Sequence, residues 1–187
     1  MSPIGKPKTK ESKLIKELNI LVEKEKEDID EFTMKRLKSE AEKLKGKDAA
    51  AAFSVLGMIA CIEEDIESMH SHHKNAITHS NEDIGDLYQY VVSLMNCKLY
   101  QEAYVYALKV YEKDPTKLDN LNMLISSTCE LNLKEEFEEF TSKWFDLAQT
   151  PHILTIYSKD LLLSVVRAKD QMRKGTKYLS YEEVYGG

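Results

Sequence analysis

Asp83 to Pro115 reads D-I-G-D-L-Y-Q-Y-V-V-S-L-M-N-C-K-L-Y-Q-E-A-Y-V-Y-A-L-K-V-Y-E-K-D-P, and this stretch decides the fold. Two apolar-striped segments with helical spacing flank a short polar break. Ala103 and Ala107 lie four residues apart, so they share one helix face and admit a neighbouring helix at close range. Pro115 has no backbone N–H and disfavours helix in the residue before it, so the second segment stops there. The stretch is a helix-turn-helix hairpin, and a hairpin alone cannot bury its apolar face. Copies are expected elsewhere in the chain.

The composition agrees with an all-α fold. The 187 residues include 7 Gly and 4 Pro, few for a loop-rich β protein, and 42% are hydrophobic. The net charge of -6 is uneven. Residues 1–48 hold 13 Lys/Arg against 11 Asp/Glu, and residues 49–187 hold 13 against 21. An acidic body lacks the basic face that duplex nucleic acid requires, so no nucleic-acid partner is expected. No apolar run is long enough for a membrane span, and M-S-P-I-G-K-P-K-T-K lacks the apolar core of a signal peptide. Cys61, Cys97 and Cys129 sit in helical patterns without C-x-x-C spacing, as small apolar residues of a reducing compartment do. A cytoplasmic location follows as the expectation.

Along the chain, residues 1–10 read as a disordered tail and 11–46 as an N-terminal helical cap. The cap carries Leu14, Ile15, Leu18, Leu21 and Val22, then Ile29, Phe32, Met34, Leu37, Ala41 and Leu44. Asp28 or Asp30 can start its second helix and Gly46 can stop it. Asp48 caps A-A-A-A-F-S-V-L-G-M-I-A-C-I, a strongly helical and largely buried segment. A polar helix from Ile66 to Thr78 follows, after a weak break at Glu63-Glu64-Asp65. Leu118–Leu131 and Lys134–Ala148 form another pair, broken around Asn132. Thr150-Pro151 then opens a helix over 152–174, and 175–187 reads as a tail.

In a 34-residue frame starting at Ala50, Ile84 and Leu118, three columns align: Phe53, Leu87 and Leu121; Leu56, Tyr90 and Leu124; Gly57, Val91 and Ile125. Met69, Ala103 and Phe137 share a fourth. Phe53-x-x-Leu56-Gly57 and the spacing of Ala103 to Pro115 resemble the tetratricopeptide repeat, W-x-x-L-G-x-x-Y…A-x-x-x-F…P. Ala107 and His73 stand where the family has an aromatic, Asn81 where it has proline, and Phe137 where it has alanine. The resemblance covers 50–151, as repeats at about 50–83, 84–117 and 118–151. It implies a short right-handed superhelix of stacked antiparallel hairpins, with N-terminal capping helices and a C-terminal capping helix.

It also implies a concave groove lined by the first helix of each repeat. Its columns fall on Ser54, Met58, Cys61 and Ile62, on Tyr88, Val92, Met95 and Asn96, and on Asn122, Ser126, Cys129 and Glu130. The surface is mostly apolar and neutral, and its methionines suit an apolar or amphipathic protein or peptide segment. The same methionine stripe at helical spacing is equally what a core would show. The length and N-terminal helices resemble the small chaperones of bacterial secretion systems. A non-enzymatic adaptor or chaperone-like module is therefore expected. An immunity- or antitoxin-type inhibitor masking a basic partner, or a structural homo-oligomer, would read similarly. The N-terminal helices offer a stripe through which a homodimer could form.

No other constellation points to chemistry. His70, His72, His73 and His79 cluster near Glu67, giving one E-x-x-H. Metal-binding bundles need that motif on two or more inward-facing helices, so a metal site at 67–73 ranks last and a solvated polar face first. The run Glu135, Glu136, Glu138 and Glu139 reads as a solvated face. No nucleophile elbow or phosphate-binding loop occurs. No enzyme, metal or cofactor is expected.

Overall fold

The computed structural model describes residues 9–22 and 29–148, and among them lie eight helices and no strand. They are α1 (Thr9–Val22), α2 (Glu31–Lys45), α3 (Ala49–Ile62), α4 (Ile66–His79), α5 (Ile84–Asn96), α6 (Tyr100–Lys113), α7 (Leu118–Glu130) and α8 (Lys134–Ala148). None of these helices is long and apolar enough to cross a membrane. The helix expected over 152–174 and the tail at 175–187 lie outside the described residues. Thr9 and Lys10, expected in a tail, already belong to α1. The chain forms two compact units, Met1–Lys98 and Leu99–Gly187. Their boundary falls in the turn of the Asp83–Pro115 stretch.

Aspartates fix four helix starts. Asp30, Asp48, Asp65 and Asp83 accept the backbone N–H of Thr33, Ala51, Ser68 and Gly85 at 2.8, 3.2, 3.0 and 2.8 Å, satisfying donors that a helix start leaves unpaired. The turns after α3, α5 and α7 share one device. Glu64, Lys98 and Asn132 adopt the left-handed conformation, with φ of 61°, 58° and 59°. They lie 34 residues apart, and the helices that follow start at Ile66, Tyr100 and Lys134 with the same spacing. In two of these turns the next residue closes the loop: Asp65 N–H donates to Ala60 O and Leu133 N–H to Thr128 O, each at 2.9 Å. The break at 63–65 is thus a complete turn. It looked weak in sequence because a glutamate occupies the position that usually carries glycine.

α3 is the hub of the first unit. It is apolar on nearly every side, so it must be covered all round, and it packs against α1, α2, α4 and α5. Leu14, Leu18 and Leu21 of α1 join Met34, Leu37 and Ala41 of α2 and Val55, Leu56, Met58 and Ile59 of α3 in one cluster. Arg36 adds a polar tie, pairing with Glu17 of α1 and with Glu40 at 2.9 Å. These pairs are partly exposed, so the buried leucines carry most of the attachment.

In the second unit α7 packs on both α6 and α8. Ala103, Ala107 and Val110 of α6, Leu118, Leu121, Leu124 and Ile125 of α7, and Phe137, Phe140 and Trp144 of α8 are buried. Buried Asn120 donates from Nδ2 to the Ala107 carbonyl at 2.9 Å, tying α7 to α6. The second helices keep one register across the chain. Met69, Ala103 and Phe137 are buried, as are His73, Ala107 and Thr141, and Ala76, Val110 and Trp144. Each of these columns steps by 34 residues.

Helix α4 approaches α3 closely at Gly57. A Cβ there would lie 2.6 Å from His73 Cδ2 and Nε2 and 2.8 Å from Cγ, well inside contact distance. The ring is not a flexible tip that could swing aside, because it is buried and bonded. Gly57→Ala should therefore cost about 1–3 kcal/mol through overpacking, reduced by roughly 1 kcal/mol of gained helix propensity. Urea denaturation would show a net loss in the native chain and a net gain in a His73→Ala background. Equal losses in both backgrounds would show that the ring does not set the spacing.

Candidate functional site

The positions expected to line a groove separate into two groups. Ser54 and Met58 are each 1% exposed, and Ile62 is partly buried against the cluster that α1 and α2 complete. Met58 is thus buried and Ile62 partly buried within the chain. The physical reason is the leucine stripe of α1, which supplies the cover in the same chain. That stripe is likewise buried at Leu14, Leu18 and Leu21, so these leucines are not a free dimer surface.

On α5, by contrast, Leu87, Tyr90, Val91 and Leu94 face inward, whereas Tyr88, Val92 and Met95 are half-buried and Asn96 is exposed. The i, i+4, i+7 spacing puts Tyr88, Val92 and Met95 on one face. In the second unit Asn122, Ser126, Cys129 and Glu130 of α7 are half-buried.

A polar joint that sequence reasoning missed lies where α3, α4 and α5 meet. His70 Nδ1 lies 2.5 Å from the Tyr90 hydroxyl. The His73 ring stacks on Tyr90, with centroids 5.0 Å apart and an interplanar angle of 22°. Its Nε2 lies 2.8 Å from Ser93 Oγ. Cys61 Sγ reaches the Ser93 carbonyl at 3.5 Å and Cys97 Sγ at 3.3 Å. The remaining two clustered histidines take the other aromatic: His72 and His79 stack on Phe53 at 6.0 and 5.4 Å.

This arrangement corrects the solvated-face expectation. His73 is fully buried, and it occupies the column of buried Ala107 and Thr141. That column, with Gly57 opposite, is the signal that could have placed it. Among the described residues no group of three or more His, Cys, Asp or Glu is placed to hold a metal.

Burial pushes the His73 imidazole down to about 3, helped by neighbouring His72 and His70, so the ring is neutral at physiological pH. His73 Nδ1 has no protein partner. A proton on Nε2, donated to Ser93, leaves only a lone pair unpaired, so this tautomer is assigned. A hydroxyl–imidazole pair is the geometry of an activated serine. Here, however, Ser93 is 2% exposed and His73 0%. No substrate reaches that hydroxyl, and the pair acts as a joint. His72 is also held below its usual value, first by burial and then by Lys45.

No protein-family model, curated protein or solved structure matches the chain.

The buried imidazole makes stability depend on acid. The unfolded histidine binds a proton near 6.5 and the folded one only near 3. Between those values the unfolded state binds more protons, so stability falls as pH falls. The His73 contribution is absent above pH 6.5 and amounts to about 1.4 kcal/mol per pH unit below it. Urea titrations at several pH values, for the native chain and His73→Ala, isolate this contribution from the carboxylates. The native-minus-variant difference should become steadily more negative on acidification; parallel profiles would contradict the assignment.

Proposed function

We propose that this protein is a non-enzymatic scaffold, a chaperone-like or adaptor module that holds a segment of a partner protein on a tetratricopeptide-like array. The recurrence carries this proposal: three helix-turn-helix segments of the chain share a left-handed turn residue at Glu64, Lys98 and Asn132 and one buried register in their second helices. Repeats of this kind bury a continuous core by stacking and offer their inner helices to a partner. The short right-handed superhelix implied by the family resemblance belongs to the same proposal. Support for the binding face comes from α5, whose Tyr88, Val92 and Met95 are half-buried beside exposed Asn96. Within the second unit, Asn122, Ser126 and Glu130 of α7 occupy the equivalent columns of the repeat frame. On α5 these four side chains are uncharged, and the adaptable methionine suits an apolar or amphipathic segment. Three free thiols suit the reducing cytoplasm, where we place the protein.

The experiment compares the native chain with the double variant Tyr88→Ala, Met95→Glu, first confirming equal helicity by circular dichroism. Both are immobilised and exposed to a lysate of the native host, and the captured proteins are quantified by mass spectrometry. Loss of an aromatic anchor worth about 2 kcal/mol lowers capture of a true partner roughly 30-fold. Unimpaired capture by the folded variant would contradict the assignment of the α5 face.

A further inference from the structure

The two cysteines of the first unit lie at the edge of the histidine joint, where Cys61 reaches the Ser93 carbonyl, and they invite a chemistry of their own. Cys61 lies in the last turn of α3 and Cys97 caps the end of α5. They are 36 positions apart in sequence, and their sulfurs approach to 3.3 Å. Closing that gap to a covalent bond of about 2.0 Å requires a movement of roughly one ångström. Both residues sit beside left-handed turns, at Glu64 and Lys98, where helix ends yield more readily than helix interiors. Cys61 is buried, whereas Cys97 is half-buried and within reach of a small oxidant.

We propose that Cys61 and Cys97 form a reversible dithiol–disulfide couple, with Cys97 the thiol oxidised first by peroxide and Cys61 the resolving thiol. The Cys97 sulfur attacks one oxygen of hydrogen peroxide: an S–O bond forms, the O–O bond breaks, and the departing hydroxide takes the thiol proton as water. This leaves a sulfenic acid on Cys97. The Cys61 sulfur then attacks the Cys97 sulfur, the S–S bond forms, the S–O bond breaks, and a second water leaves with the Cys61 proton. Two thiols lose two electrons and one peroxide is reduced to two waters. A dithiol reductant restores the pair by exchange.

The division of roles agrees with the thiol environments. The hydrogen bond between the two sulfurs holds the Cys97 thiol below its ordinary value against the effect of burial. The same bond and burial push the Cys61 thiol up. Attack at Cys97 therefore comes first, since the thiolate is the nucleophile. The 34-residue frame supplies an internal reference. Cys129 occupies the column of Cys61, and the residue 36 positions on, where Cys97 stands relative to Cys61, is Val165. Burial, with Glu130 beside it, pushes the Cys129 thiol up to about 11.

The test uses the full native chain, reduced and then exposed to hydrogen peroxide under non-denaturing conditions. Remaining thiols are alkylated, and the products are read by intact mass and peptide mapping. The expected product is a monomer lighter by two hydrogens, with Cys61 linked to Cys97 and Cys129 fully alkylated. Dithiothreitol should reverse it. The variant Cys61→Ser should instead accumulate a Cys97 sulfenic acid that dimedone traps. The proposal is overturned if Cys61 stays a free thiol while Cys97 is oxidised in the native chain, or if Cys129 reacts first. A disulfide that forms only in denaturant would overturn it as well.

Discussion

The packing of one imidazole between Gly57 and Tyr90 sets the geometry of the first unit. His73 has 0% exposure, and Gly57 is the residue whose missing side chain makes room for it. Burying a polar ring without partners costs several kcal/mol. Two contacts offset this: the bond to Ser93 at 2.8 Å, worth about 1 kcal/mol net, and the stack on Tyr90, worth about 0.5–1.5 kcal/mol beyond its area. One side chain of α4 thereby fixes α3 on one side and α5 on the other. The joint is specific because its partners are directional, whereas the leucines of α1 and α2 would tolerate small slips.

The same backbone scheme recurs with different side chains filling the middle. Where α4 carries His73, α6 carries Ala107 and α8 carries Thr141, all buried. Where α3 carries Gly57, α5 carries Val91 and α7 carries Ile125, also buried. In the 34-residue frame a large residue in one column goes with a small one in the other, and within α3–α4 the missing side chain of Gly57 makes the room that the His73 ring fills. The left-handed residues at the turns are Glu64, Lys98 and Asn132, and only asparagine is a usual choice there. The turn persists because hydrogen bonds at the helix ends over-determine it.

Much of the fold was legible in the sequence for physical reasons. Apolar spacing marked the helices, Asp48 and Asp83 marked their starts, and Pro115 marked a stop. The all-helical class follows from those features. Other parts escaped because their signals are three-dimensional. A glutamate at a left-handed turn has no local signature, so the break at 63–65 looked weak. Histidines at i, i+3 look polar, and only the partner at Gly57 shows that His73 points inward. Met58 and Ile62 matched groove columns, but the pattern within one repeat cannot say that α1 lies over the same cluster. Tyr88, Val92 and Met95, in the groove columns on α5, are half-buried.

Helix α5 anchors the histidine joint through Tyr90 and Ser93 and carries half-buried Tyr88, Val92 and Met95 on another face. A rigid α5 is what a preorganised binding face needs, because ordering then need not happen on association. The joint is therefore the feature to examine directly. Nitrogen-15 spectra of the imidazole rings, recorded between pH 7.5 and 4.5 on the folded chain, report protonation and tautomer for each histidine. The account predicts a His73 ring that stays neutral with its proton on Nε2 across that range. A His73 ring that titrates near 6.5 in the folded protein would contradict it.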